Sequence, residues 1–181
     1  MMNKFAAMVA RHAGIERPVT IRIISLLFGL VLFIIAIPLL LGLLGHFVAQ
    51  FIPLTIPRNV EIALGMTTAT IGLIILTWCI VVFWRVGKGT PVPFVSPTRL
   101  ITSGPFRYTR NPMKLGVTTL YFGMGTGFDQ FTTGLVMFLV GMAFGIAYHK
   151  LIEEKELLAR YGEEYAAYRD CTPFVWPRWR R

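Results

Sequence analysis

The chain is 181 residues long, 55% hydrophobic and only 15% charged. Charged residues make up about a quarter of an ordinary soluble domain, so there is too little polar surface here for a globule bathed in water, and the apolar and aromatic content excludes a disordered chain. Its 18 Lys and Arg exceed 9 Asp and Glu for a formal charge of +9. With no basic run interleaved with aromatics, that excess fits the cytoplasmic flanks of membrane helices and excludes a nucleic-acid partner.

In chain order, Met1–Thr20 carries Phe5, Met8 and Val9 beside Lys4 and Arg11 and predicts a short helix lying on the membrane. Ile21–Leu44 is apolar apart from Arg22 and reaches about 36 Å at about 1.5 Å per residue, enough to span a bilayer. Pro38 predicts a kink in it. Ile62–Trp84 holds 23 residues without a charge and predicts the second span, closed by Trp84 and Arg85 at the interface. Leu115–Phe128 and Phe131–Tyr148, separated by Asp129 and Gln130, predict a helical hairpin. Gly123 with Gly127, and Gly141 with Gly145, are spaced for close helix packing, which would also permit a helix-mediated dimer.

Lys and Arg number 4 in residues 1–22, 1 in 45–61, 6 in 85–114, none in 128–130 and 7 in 149–181. This alternation predicts an all-α, multi-pass transmembrane helix bundle of about four spans with both termini cytoplasmic. The two long polar segments, 85–114 and 149–181, then share the cytosolic side, where chemistry is expected. The chain reads as a single integral-membrane domain, with anchor helices in 1–84 and a cofactor-binding catalytic half in 85–181.

Gly87–Met113 contains five prolines and three glycines, which forbid regular helix and favour a rigid, extended lid. Its end places Asn111 as a helix N-cap and Pro112 at the first helical position. Free backbone N–H groups beside Arg107 and Arg110 then make an anion site, although positive-inside anchoring alone also accounts for these cations. After the fourth span an amphipathic helix continues to Gly162, with His149 and Glu153 sharing a face at i, i+4 and Glu156 spaced to pair with Arg160. A second short helix follows through Tyr165 and Tyr168 until Pro173 and Pro177 stop it. Phe174–Arg181 reads as an aromatic and basic interface anchor. Cys79 and Cys171 form no CxxC, and His12, His46 and His149 fit no metal-ligand spacing, so no metal is expected.

Gly104-Pro105-Phe106-Arg107-Tyr108, then Arg110-Asn111-Pro112 and Gly116, followed by Glu153-Glu154, Tyr161-Gly162, Tyr165, Tyr168 and the Pro173–Pro177 segment, resemble the isoprenylcysteine carboxyl methyltransferase and phospholipid methyltransferase superfamily. The resemblance covers about residues 84–177. It implies an integral-membrane enzyme that binds S-adenosylmethionine on the cytosolic side and takes a lipophilic or small thiol, carboxylate or amine acceptor from the bilayer. The cofactor-binding set it implies is Gly104, Pro105, Arg107, Tyr108, Arg110, Asn111, Pro112, Gly116, Glu153, Glu154, Tyr165 and Tyr168. Arg110, Asn111, Glu153 and His149 are the candidate catalytic residues. Many members carry His where this chain has Asn111 and an aromatic where it has Lys114; Asn111 does not titrate, so an ammonium acceptor would lose its proton to His149 or Glu153. Two alternatives are a steroid-reductase-like NADPH enzyme, which the Glu153-Glu154 pair suits poorly, and a non-enzymatic membrane scaffold.

Overall fold

The computed structural model describes residues 18–88, 90 and 97–177. Their regular structure is entirely helical: α1 (Val19–Ala49), α2 (Arg58–Arg85), α3 (Pro112–Phe128), α4 (Phe131–Tyr148) and α5 (Glu154–Cys171). The expected surface helix over Met1–Thr20 lies outside the described residues, except that Val19 and Thr20 already belong to α1. Three helical stretches are long and apolar enough to cross a membrane: α1, α2, and α4 with its continuation. α3 has 17 residues, about 26 Å, close to the hydrocarbon thickness of about 30 Å. Each expected span is found as a helix, three of them within stretches long and apolar enough to cross, and α4 begins and ends where its apolar run does.

The Pro38 expectation takes a particular form. The chain opens into a π turn over Val31–Ala36, where Ile37 gives its N–H to the Leu32 carbonyl. Pro38 has no N–H to give, so the wider turn absorbs the break. The Phe33 carbonyl takes its hydrogen bond from the Tyr121 hydroxyl instead, at 2.7 Å. Threonines within the spans are satisfied in a comparable way: Thr67, Thr70 and Thr119 each donate to the carbonyl four residues back.

The chain divides into two compact units. The second unit, residues 30–76 and 113–145, is packed through missing side chains. A Cβ on Gly72 would lie 2.6 Å from the Leu120 nitrogen, and one on Gly65 2.6 Å from the Gly127 Cα. Such close approach is how helices bind one another in lipid, where apolar contact with lipid tails costs nothing to keep. Gly125 meets Gly134 across the hairpin in the same manner. Glu61, buried at the start of α2, accepts the Phe131 N–H at 2.8 Å, and Arg58 donates to Glu61 and to the Asp129 and Gly127 carbonyls.

The first unit comprises the described residues of 1–29, 77–112 and 146–181. Arg22, the lone charge near the start of the first span, lies 3.9 Å over the Trp84 ring and donates to the Trp84 carbonyl. This pairing explains how a cation is tolerated beside an apolar run. Gly104 opens a 3-10 turn, Gly104–Arg107, at φ 61°, where a Cβ would press on Val82. Phe106 from that turn packs edge-on against Phe83. Of the proline-rich lid, Pro91 and Pro93 lie outside the described residues. Its Pro97 carbonyl accepts from Arg160 and Tyr161 of α5, and Arg160 pairs with Glu156 at 2.9 Å as its spacing implies.

Candidate functional site

Two stretches far apart in sequence meet in the first unit. Pro112 opens α3 as a proline can, since the first helical N–H has no partner to lose, and Asn111 immediately precedes it. Gly162 at φ 52° and ψ −126° breaks the last helix and redirects the chain, so that Tyr165 and Tyr168 turn inward. Arg110 Nη1 and Glu154 Oε1 are 3.2 Å apart, with side chains 12% and 24% exposed. Their partial burial strengthens a charge-assisted bond that would be weak on an open surface.

Around this pair the predicted residues converge. His149, buried to 3% exposure, bonds through Nδ1 to Glu153 Oε2 at 2.6 Å. This contact arises where the helix opens into a second π turn, His149–Glu153, a device often found at functional positions. Tyr168 donates its hydroxyl to the Phe106 carbonyl at 2.6 Å, which fixes the Gly104-Pro105-Phe106-Arg107 turn against α5. Burial pushes the Tyr168 phenol up, against the nearby Arg110 charge. The Tyr165 phenol is raised for the same reason. Its hydroxyl is buried beside the Arg110 guanidinium, whose charge offsets part of that rise, and makes no well-formed hydrogen bond.

Not every predicted residue belongs here. Gly116 lies in the second unit, where a Cβ would meet Ile75 at 2.9 Å, so its missing side chain admits α2. Lys114 is also there, with its aliphatic stem along Gly145. Arg107 is exposed and Tyr108 half-buried.

The largest departure concerns the C-terminal segment. An interface anchor is expected for Phe174–Arg181, yet its first two residues fold back on the site. The Pro173 carbonyl accepts the Arg110 N–H at 2.9 Å, the Thr172 carbonyl accepts Arg110 Nε at 3.1 Å, and the Phe174 carbonyl accepts from Asn111 Nδ2 at 2.8 Å and from the Thr109 hydroxyl. Val175 is buried, while Trp176 is 70% exposed and keeps the character of an anchor. Arg178–Arg181 lie outside the described residues. Sequence reasoning passed over Thr109, Thr172 and Phe174 because an aromatic among prolines and arginines carries the same signal whether it faces lipid or protein.

An open concavity of about 380 Å³ adjoins the pair, lined by Arg107, Arg110, Arg169 and the turn from Asp170 to Phe174. Among the described residues, no group of three or more His, Cys, Asp or Glu is placed to hold a metal ion.

Helices long and apolar enough to span a membrane, in a chain that also carries a polar, arginine-lined concavity, define an integral-membrane helical protein. The family model described as phospholipid methyltransferase matches residues 60–164. The chain belongs to that family and is a membrane methyltransferase. No curated protein and no solved structure matches it.

Proposed function

We propose that the protein transfers a methyl group from S-adenosylmethionine to the headgroup amine of a phospholipid, on the cytosolic face of its membrane and with both termini on that side. The observation that carries this reading is the 3.2 Å approach of Arg110, which lines the concavity, and Glu154, two opposite and partly buried charges side by side. They suit the zwitterionic amino-acid end of that cofactor, carboxylate toward Arg110 and ammonium toward Glu154. The buried Tyr165 hydroxyl beside Arg110 supports the fit, since it makes no well-formed hydrogen bond and is placed to donate to a ligand acceptor held by Arg110. Tyr108 and the turn at Gly104–Arg107, held by Tyr168, supply surface for the nucleoside portion. Arg107 and Arg169 in the concavity offer guanidinium groups to a headgroup phosphate.

When bound, the cofactor supplies an electrophilic methyl on a sulfonium, whose leaving group departs neutral and needs no general acid. The protein's tasks are therefore to position the reactants, exclude water and take a proton from the acceptor ammonium. His149 with Glu153 performs the last. Glu153 accepts the proton on Nδ1, which fixes the tautomer and makes Nε2 the basic nitrogen. Glu153 then stabilises the imidazolium that forms. Asn111 has no proton-transfer role and serves to hold the α3 start against the Phe174 carbonyl.

Membranes containing the protein, incubated with methyl-labelled S-adenosylmethionine, are expected to yield labelled phospholipid. In purified protein, Arg110→Ala and Glu154→Gln are each expected to weaken S-adenosylhomocysteine binding about tenfold or more, the equivalent of losing one charged hydrogen bond of about 1.5–3 kcal/mol. Undiminished binding in both folded variants, or label confined to protein or small thiols, would refute the reading.

A further inference from the structure

Phe174 has no part in the chemistry just described, yet Arg110, Asn111 and His149 all meet at it. Its carbonyl takes hydrogen bonds from Asn111 and Thr109, and its ring lies 5.1 Å from the His149 imidazole with the planes at 62°. The same ring stands 5.4 Å from the Arg110 guanidinium and 5.4 Å from the Lys150 ammonium. Carbonyl contacts belong to the main chain and survive replacement of the side chain. Ring contacts do not, so the two roles can be separated by substitution.

The ring is the informative half. An imidazole turns about a soft terminal torsion, so what packs against its ring helps to set its orientation. A large flat ring packed edge-on against an imidazole that is only 3% exposed restricts that turn and shields the imidazole side of the 2.6 Å bond, while Glu153 is 32% exposed. We propose that Phe174 is a positioning residue for methyl transfer: its ring holds His149 in the orientation that keeps Nδ1 on Glu153, which makes the C-terminal strap a working part of the site. The inference rests on the acceptor-deprotonating role given to His149 above.

The test uses the full chain in detergent, with Phe174→Leu, Phe174→Met as a second truncation in case the first does not fold, and Phe174→Tyr as the conservative variant. The first readout is the downfield ring-proton resonance of the His149–Glu153 bond. The chain has three histidines, so His12→Gln and His46→Gln assign the signal. The signal is expected in the wild type and in Phe174→Tyr, and lost to exchange with water in the Leu and Met variants. The second readout is a double-mutant cycle on kcat, in which Phe174→Leu costs about tenfold alone and nothing further in a His149→Gln background. A signal that persists in the folded Leu or Met variant, or losses that multiply in the cycle, overturns the proposal. A wild type that shows the expected ring signal but transfers no methyl group refutes the proposed function instead, and leaves Phe174 as a clamp on the imidazole alone.

Discussion

The carboxylates on the C-terminal helix, adjacent in sequence, fall to different fates. Glu153 goes to His149 and Glu154 to Arg110, while Glu156 turns inward to Arg160 and is only 8% exposed. Burial raises the Glu156 carboxyl above its ordinary value of 4.5, and the Arg160 charge and hydrogen bond only partly oppose this. The folded protein therefore holds that proton more tightly than the unfolded chain does. The stability contributed by this group is complete below pH 4.5 and falls as the pH rises through the elevated value. Thermal unfolding in detergent, followed from about pH 4.5 upward, is expected to show a decline that Glu156→Gln flattens. An unchanged slope in that variant would mean that Arg160 fully compensates the buried carboxylate. The i, i+4 spacings of Glu153 with His149 and of Glu156 with Arg160 were plain from the sequence, but their burial and the pairing of Glu154 with Arg110 were not, since a solvated face and a buried triad share one pattern.

At the level of the helices, glycine placement outweighs apolar content. α2 and α3 touch backbone to backbone at Gly65, Gly72 and Gly123, so any side chain there forces the helices apart. Gly72→Val is expected to lower the midpoint of thermal unfolding by several degrees, the consequence of overpacking by about 1–3 kcal/mol. An equal loss at Gly141→Val, where an added Cβ meets side chains at 3.4 Å, would show that helix propensity and not close approach is responsible. The small-xxx-small spacing announced that some helices meet closely. Its partners, Gly65 and Gly72 on another helix, became identifiable only once the helices were paired. The two π turns were equally hidden: the first follows from a missing proline N–H, whereas nothing in His149–Glu153 distinguishes a five-residue turn from an ordinary one.

For the whole molecule, the proposed sidedness can be checked with the native cysteines. Cys79 is fully buried and Cys171 exposed at the rim of the arginine-lined concavity. A membrane-impermeant maleimide is expected to label the protein in inside-out vesicles and to spare it in right-side-out ones, with Cys171→Ser abolishing the signal. The opposite pattern would place the site on the other face. Composition, the length of the apolar runs and the alternation of basic residues were enough for the sequence alone to specify a membrane-embedded helical chain, because a bilayer imposes its thickness and charge asymmetry on any chain that crosses it, while Arg110, His149, Glu153 and Glu154 were marked as site candidates by the motifs that resemble the methyltransferase family. The tertiary structure alone decided that Arg110 meets Glu154, that the Tyr165 hydroxyl is buried beside Arg110, and that the C-terminal strap closes over His149. Contacts between segments far apart in sequence depend on where turns send the chain, and no local pattern of side chains records that.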